Sequence, residues 1–141
     1  MTHHLTDQLM RFAQHAQRSL DLAFTAYPIS PAQYRLMSLV ERGDRLTQKQ
    51  LAATLHTTEA NISQLLTRLT TSKLLKKTRQ GRHKHLHLTE HGQALLETLH
   101  PIYTQWNEHC CDALTDAERQ IMMMLLEKMT QTFTAEDALE R

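Results

Sequence analysis

Thr58, Asn61, Ser63, Gln64, Thr67 and Arg68 lie in a stretch whose apolar residues, Ile62, Leu65, Leu66 and Leu69, recur at helical spacing. At about 100° per residue, the centre of that apolar stripe lies opposite Ala60, Gln64, Thr67 and Thr71. Asn61, Ser63 and Arg68 flank this outer face. A solvated helix face usually carries Glu/Lys pairs, whereas this one carries amides, hydroxyls, small residues and a single Arg. Amides and hydroxyls at the exposed start of a helix are suited to hydrogen-bonding base edges in a major groove. A second group, Lys77, Arg79, Arg82 and Lys84, follows within a few residues and suits phosphate binding.

Charge supports the same chemistry. Between Arg45 and Leu88 stand nine basic residues and one acid, Glu59, a balance of +8. The remainder holds seven basic and fourteen acidic residues, a balance of −7, so the net charge of +1 conceals a strongly basic middle third. A solvated basic face is the bland explanation, and a polyanion site the sharper one. A protein-interaction module that never touches DNA is a further alternative, but it has no need of such a concentration of charge. Nothing points to bond-making chemistry. The nucleophile elbow, phosphate loop, HExxH and dinucleotide fingerprint are missing, and paired carboxylates are excluded from the basic third. The chain is expected not to be an enzyme and to need no cofactor.

Ten histidines and two cysteines raise metal and redox alternatives. His83, His85 and His87 alternate along one strand, and such neighbours rarely converge on one ion. His109 and Cys110, with Cys111 and Glu108 nearby, are a better ligand set. Consecutive helical residues diverge, however, and a closed site would need His3, His4, His15 or His100 brought in by packing. Cys110 falls on an apolar stripe, where a free thiol is ordinarily inert packing, while Cys111 lies off it. Adjacent cysteines sit about 3.8 Å apart at Cα, below the usual reach of a disulfide, which agrees with a reducing cytoplasm. Met122, Met123, Met124 and Met129 are read as adaptable core or dimer contact, with the core favoured, rather than as the lining of a ligand pocket.

The elements that must position these groups are mostly helical. Gly and Pro number three each, aromatics are few, and the composition favours helices. Leu5, Leu9, Phe12, Ala16, Leu20, Ala23 and Tyr27 trace an amphipathic first helix ending before Pro28. Ser30-Pro31 opens a second, with Tyr34, Met37, Leu39 and Val40 inward and Gly43 as its stop. Thr47 to Gln50 reads as a capping box for a short helix bearing Leu51, Ala52 and Leu55. His56-Thr57-Thr58 breaks the pattern before the polar-faced helix. After Leu75, a Gln80-Gly81 turn and period-two alternation predict a β-hairpin with Arg79, Arg82 and Lys84 at its tip. Thr89 caps a long helix carrying Leu95, Leu99, Ile102, Trp106 and Cys110, with Pro101 inside it expected to kink it. A second cap in Leu114 to Glu118 opens a last helix with Ile121, Met122, Leu125, Leu126, Met129 and Phe133 as its stripe. The longest apolar run, Ile121 to Leu126, is too short to span a bilayer, and the N-terminus has no basic-then-apolar leader. A cytoplasmic protein with no membrane partner is expected.

This order of elements is that of a winged helix-turn-helix, mainly α with a small β wing. The residues also resemble the MarR family of regulators over nearly the whole chain. The matching stretches are Ile29-Ser-Pro-Ala-Gln-Tyr-Arg-Leu-Met-Ser-Leu39, Leu46-Thr-Gln-Lys-Gln-Leu-Ala52, Asn61-Ile-Ser-Gln-Leu-Leu-Thr-Arg-Leu69, Leu86-His-Leu-Thr-Glu-His-Gly92 and Leu114-Thr-Asp-Ala-Glu118. The resemblance implies a single MarR-like domain over 1–141, with a DNA-binding unit at 30–89 and dimerisation helices at 1–27 and 90–134. It implies a homodimer, joined through residues such as Leu5, Leu9, Phe12, Ile121, Leu125 and Met129, that binds pseudo-palindromic double-stranded DNA. The polar-faced helix would enter a major groove, Arg82 would serve as the wing arginine, and Thr47, Lys77, Arg79 and Lys84 would hold phosphates. It further implies a repressor released by a small, often aromatic, effector where the first, second and fifth helices meet the reading unit. The family often has Arg at the position of Gln64, Gly at that of Lys73 and Asp at that of Gln80, and its wing is about three residues longer.

Overall fold

The computed structural model describes residues 2–139. Its elements run α1 (Thr2–Phe24), α2 (Pro31–Glu41), α3 (Gln48–Thr54), α4 (Glu59–Thr71), β1 (Leu75–Gln80), β2 (His83–Leu88), α5 (Glu90–Cys111) and α6 (Asp116–Leu139). This is the mainly helical winged-helix class expected from the sequence. The chain divides between Trp106 and Asn107 into two compact units.

In the first unit the helix starts are set by side-chain caps, which satisfy donors that have no partner inside a helix. Ser30 and Gln33 form a reciprocal capping box at α2, with Pro31 opening the helix. Thr47 and Gln50 do the same at α3, with bonds of 3.1 and 2.8 Å. Thr58 caps α4 by accepting from the Asn61 backbone N–H at 3.1 Å, so α4 begins one residue after it.

The ends are equally specific. Gly43 (φ +77°) closes α2, while His56 (φ +53°) and Lys73 (φ +60°) adopt the left-handed conformation after α3 and α4. At α3 the His56 N–H donates to the Ala53 carbonyl and the Thr57 N–H to the Ala52 carbonyl. At α4 the Lys73 N–H donates to Thr70 and the Leu74 N–H to Leu69. Both pairs are Schellman closures, which glycine usually supplies. The position where MarR-like chains often have Gly thus keeps the Gly conformation here with a lysine.

The core of this unit joins Leu20 and Phe24 of α1, Tyr34, Leu36 and Met37 of α2, Leu51 of α3, and Ile62, Leu65, Leu66 and Leu69 of α4. Ile29, Ala52, Leu74, Leu75, Leu96 and Leu99 complete it. Leu36 and Leu96, fully buried, are missing from the apolar stripes read from periodicity, and Leu95 is only partly buried. Both misses fall on pairs of adjacent apolar residues, where spacing cannot choose between neighbours. The helix α5 runs uninterrupted through Pro101.

The seam between the wing and α5 is a knot of short contacts. The Thr89 hydroxyl donates to the Lys73 carbonyl at 2.6 Å and accepts from the Gly92 N–H at 3.0 Å, while the Thr89 N–H donates to the Leu74 carbonyl at 3.1 Å. Gly92 packs against the backbone of Leu74 so closely that a Cβ there would collide with its carbonyl oxygen.

In the second unit, Thr115 and Glu118 form another capping box, with bonds of 3.0 and 3.2 Å. The backbone and hydroxyl of Thr115 hold the Glu118 carboxyl below the usual glutamate value. On α6, Ile121, Met122, Met123, Met124, Leu125, Leu126, Met129 and Phe133 are all exposed. The expectation that the methionines belong to a core is therefore corrected. Their helix carries apolar residues nearly all round its circumference, and these remain at the surface of the chain.

Replacing Gly92 by Ala forces a methyl group against backbone that cannot rotate away. Overpacking of this kind costs about 1–3 kcal/mol, so Gly92→Ala should lower the urea midpoint with an unchanged slope, and an unaltered midpoint would contradict the close approach.

Candidate nucleic-acid interface

The four buried residues of α4, Ile62, Leu65, Leu66 and Leu69, anchor its inner face. Asn61, Ser63, Gln64, Thr67 and Arg68 are all exposed on the other side, with Thr58 exposed at the cap. The outward set read from the sequence is therefore brought together on one helix. Among the described residues, three members of the set have side-chain partners within the chain, Thr58 through its cap bond from the Asn61 N–H. The Thr67 hydroxyl donates to the Ser63 carbonyl at 2.9 Å, so its acceptor lone pairs are what remain for a ligand. The Asn61 amide donates from Nδ2 to the Thr57 hydroxyl oxygen at 2.8 Å.

The hairpin is antiparallel, with Leu75 opposite Leu88, Lys77 opposite Leu86, Arg79 opposite Lys84 and Gln80 opposite His83. Its two-residue turn is Gly81-Arg82. Gly81 lies at φ +63°, and no positive φ occurs at Arg82, the pattern of a type II′ turn. Strand side chains alternate between faces. Leu75, Lys77, Arg79, Lys84, Leu86 and Leu88 thus share one face, whose base is buried leucine and whose tip is cationic. Lys76, Thr78, His83, His85 and His87 share the other, with the His85 and His87 rings 6.4 Å apart. Arg79 directly opposite Lys84 is a like-charge cross-strand pair, which costs stability in isolation. A nearby polyanion relieves that repulsion.

An open cleft of about 780 Å³ separates the leucine-based face of the wing from the segment joining α2 to α3. Arg45, Thr47, Lys77 and Lys84 line it together with Glu41, His83, His85, His87 and several leucines, so cationic and hydroxyl groups from three parts of the chain border it beside one acid. A smaller hollow of about 60 Å³ beside α4 is lined by Arg35, Leu55, Thr57 and Asn61, among others. Arg35 lies outside the basic third, and Thr57 reads as an ordinary linker residue. Arg35 was not legible because only folding carries α2 to the start of α4, whereas Thr57 stands four residues before Asn61, a local spacing that could have found it.

The metal and redox candidates fare differently. His109 is exposed and Cys110 half-buried. Among the described residues no group of three or more His, Cys, Asp or Glu side chains could hold a metal ion. Burial, and then the neighbouring Cys111, push the Cys110 thiol above its ordinary value, away from the thiolate form that oxidant sensing requires.

Along most of its length the chain has known relatives. The MarR-family sequence model matches residues 27–84. An HTH-type transcriptional regulator of Bacillus cereus is 27% identical over 124 residues, covering 88% of this chain and 83% of that protein. The S. aureus MepR–DNA complex is 25% identical with a TM-score of 0.79, covering 89% of this chain and 94% of that one. Bordetella bronchiseptica BpsR, whose DNA binding is regulated by 6-hydroxynicotinic acid, shares the fold at 22% identity and a TM-score of 0.79, covering 89% and 91%. The fold is that of a winged helix-turn-helix protein. Over residues 27–84 the chain is similar to the MarR family of transcriptional regulators.

His85 is the wing group expected to respond to pH. Desolvation, the Arg45 charge and the flanking His83 and His87 lower its pKa from the ordinary 6.5. Its neutral form therefore prevails at pH 7, and it gains a positive charge only as pH falls through that lowered value. DNA affinity should rise on acidification below about pH 6.5, and His85→Gln should flatten part of that rise in fluorescence-anisotropy titrations. An identical pH profile in wild type and variant would contradict a wing-borne effect.

Proposed function

We propose that the chain is a homodimeric repressor that binds a pseudo-palindromic duplex and is released by a small-molecule effector. One observation carries the DNA reading: the polar outer face of α4 and the cationic wing tip occupy the same small unit, in a segment with nine basic residues and one acid. In this reading α4 enters a major groove, with Asn61 and Gln64, helped by Thr58 and Ser63, reading base edges. The wing follows the backbone, with Arg82 in or beside the minor groove and Thr47, Lys77, Arg79 and Lys84 on phosphates. MepR solved on DNA supports that use of the fold. Such a protein works in the cytoplasm, and no described helix is long and apolar enough to cross a membrane.

Dimerisation is argued from exposed apolar surface. Leu5, Met10, Phe12 and Leu22 on α1 are more than half exposed, at 51, 58, 54 and 66%. On α6, Ile121, Leu125 and Met129 are exposed as well. Surfaces of this kind on a soluble chain call for a partner, and a second copy related by a two-fold axis supplies one while spacing two α4 helices about a DNA turn apart. The domain assignment follows, with 30–89 as the reading unit and 1–27 and 90–134 as dimerisation helices.

The effector is placed where α1, α2 and the first part of α5 meet. Phe24, Tyr34, Tyr103 and Trp106 form a chain of ring contacts there. Tyr34 is also hydrogen-bonded to His100 at 2.6 Å, which reaches Glu41 at 2.9 Å. Regulation of BpsR by an aromatic acid supports this class of ligand. A ligand acts only by binding the DNA-competent and incompetent states with different affinity.

Footprinting on a selected operator should show two half-sites about one helical turn apart; a single asymmetric site would count against the reading. Arg82→Ala should weaken binding to all sequences and reduce the slope of log K against log salt by about one, and an unchanged slope would remove Arg82 from the contact set. Leu125→Glu should yield a monomer in sedimentation and lose operator binding. A wild-type monomer at micromolar concentration would overturn the dimer.

A further inference from the structure

We infer that Arg35 is a further positioning residue for duplex binding: its guanidinium takes a backbone phosphate at the start of α4, the end of the reading helix away from the wing. The inference rests on the DNA reading above and extends it beyond the basic third of the sequence.

Arg35 stands on α2, outside the segment from Arg45 to Leu88 that carries the concentration of charge. Packing brings it to the first two turns of α4, where it borders a hollow of about 60 Å³ together with Leu55, Thr57, Asn61 and Leu65. One water needs about 10–15 Å³, so the outer oxygens of a phosphate have room. Leu55 and Leu65 give the hollow an apolar side along which an arginine stem can lie. Arg35, Thr57 and Asn61 give it a polar side, and Asn61 is exposed, so the hollow is open to a ligand there.

Arg35 is half-buried. A partly desolvated charge is ordinarily paired. Among the described residues the ion pairs are His100 with Glu41 and Arg119 with Asp116, and Arg35 belongs to neither. Among those residues its guanidinium has no hydrogen-bond partner either. It therefore presents five free donors in a planar fork, the shape that matches phosphate oxygens.

Its placement gives the contact a use. The 13 residues of α4 span about 20 Å at 1.5 Å per residue. The wing leaves from the C-terminal end of that helix, with β1 starting at Leu75, whereas Arg35 lies beside its N-terminal turns. Phosphate contacts fix register and orientation and carry no sequence information. Contacts at both ends of α4 stop it from pivoting in a groove, a freedom that contacts at the wing end alone would leave.

The test is phosphate-ethylation interference on a selected operator, together with salt titrations, for wild type, Arg35→Met, Arg35→Lys and Arg82→Ala. Methionine keeps an apolar stem and removes the charged head. In wild type, ethylation should interfere at one phosphate per half-site that stays sensitive in Arg82→Ala and loses its sensitivity in Arg35→Met. Arg35→Met should weaken binding to every sequence by about tenfold at 50 mM salt. The slope of log K against log salt should fall by about 0.9, so that this loss shrinks to about threefold at 200 mM. Arg35→Lys should keep the slope, and the base profile selected from a randomised library should be the same in wild type and both Arg35 variants. An unchanged interference map and slope in Arg35→Met would overturn the inference, and a lowered melting temperature beside them would make Arg35 a packing stem with its head in water. Loss of preference at a single base pair would make it a base reader and overturn the inference as well. If wild type binds no duplex at low salt, the DNA reading falls and this inference with it. Operator binding that ignores Arg35 overturns this inference alone.

Discussion

Thr89 ties the wing to the rest of the reading unit. Both ends of the hairpin converge on it: the strand leaving α4 begins at the Lys73 and Leu74 carbonyls, which Thr89 holds through its hydroxyl and its amide, and the returning strand ends one residue before it. The same hydroxyl accepts from Gly92 and so starts α5. A two-stranded hairpin is marginal by itself in water. This one is held at its base by that knot and by Leu75, which is buried. The geometry of the wing relative to α4, on which any simultaneous contact with two grooves depends, therefore passes through a few backbone carbonyls.

That constraint explains two features that look costly in isolation. Lys73 adopts a left-handed conformation that glycine would take more cheaply. The closure it forms with Thr70 and Leu69 turns the chain from α4 into β1 at the point where Thr89 can reach it. At the other end of the hairpin, Arg79 faces Lys84 across the strands and Arg82 occupies the turn. Stability of the hairpin would be served by opposite charges or by apolar pairs. Its energy is instead divided by position, with leucines at the base for the fold and cations at the tip for a polyanion.

The reading helix shows the same separation. Its inner face is four buried aliphatic residues, and its outer face has no acid or lysine among Asn61, Ser63, Gln64, Thr67 and Arg68. The side chains that would meet bases are short and partly restrained by their own surroundings, Thr67 by the Ser63 carbonyl and Asn61 by Thr57. Restraint of this kind favours discrimination over raw affinity, while long cations such as those of the wing favour affinity without discrimination.

Much of this was legible in the residues alone. Helix starts are local chemistry: Ser30 with Gln33, Thr47 with Gln50 and Thr58 with Asn61 lie three residues apart, so the caps could be read from spacing. The hairpin, its Gly81 turn and the outward set on α4 were likewise carried by periodicity and by one glycine, and the placement of charge needed only counting. Choices between adjacent apolar residues were not local. Whether Leu95 or Leu96 goes inside depends on which neighbour fills the space opposite, and the exposure of the α6 methionines depends on what the chain folds against them. Arg35 joined the site only when α2 and α4 were packed together. Sequence determined the elements and the chemical character of each face because those follow from bonds within a few residues. Tertiary structure decided which side chains meet, because contacts between elements are set by packing over distances the local pattern does not encode.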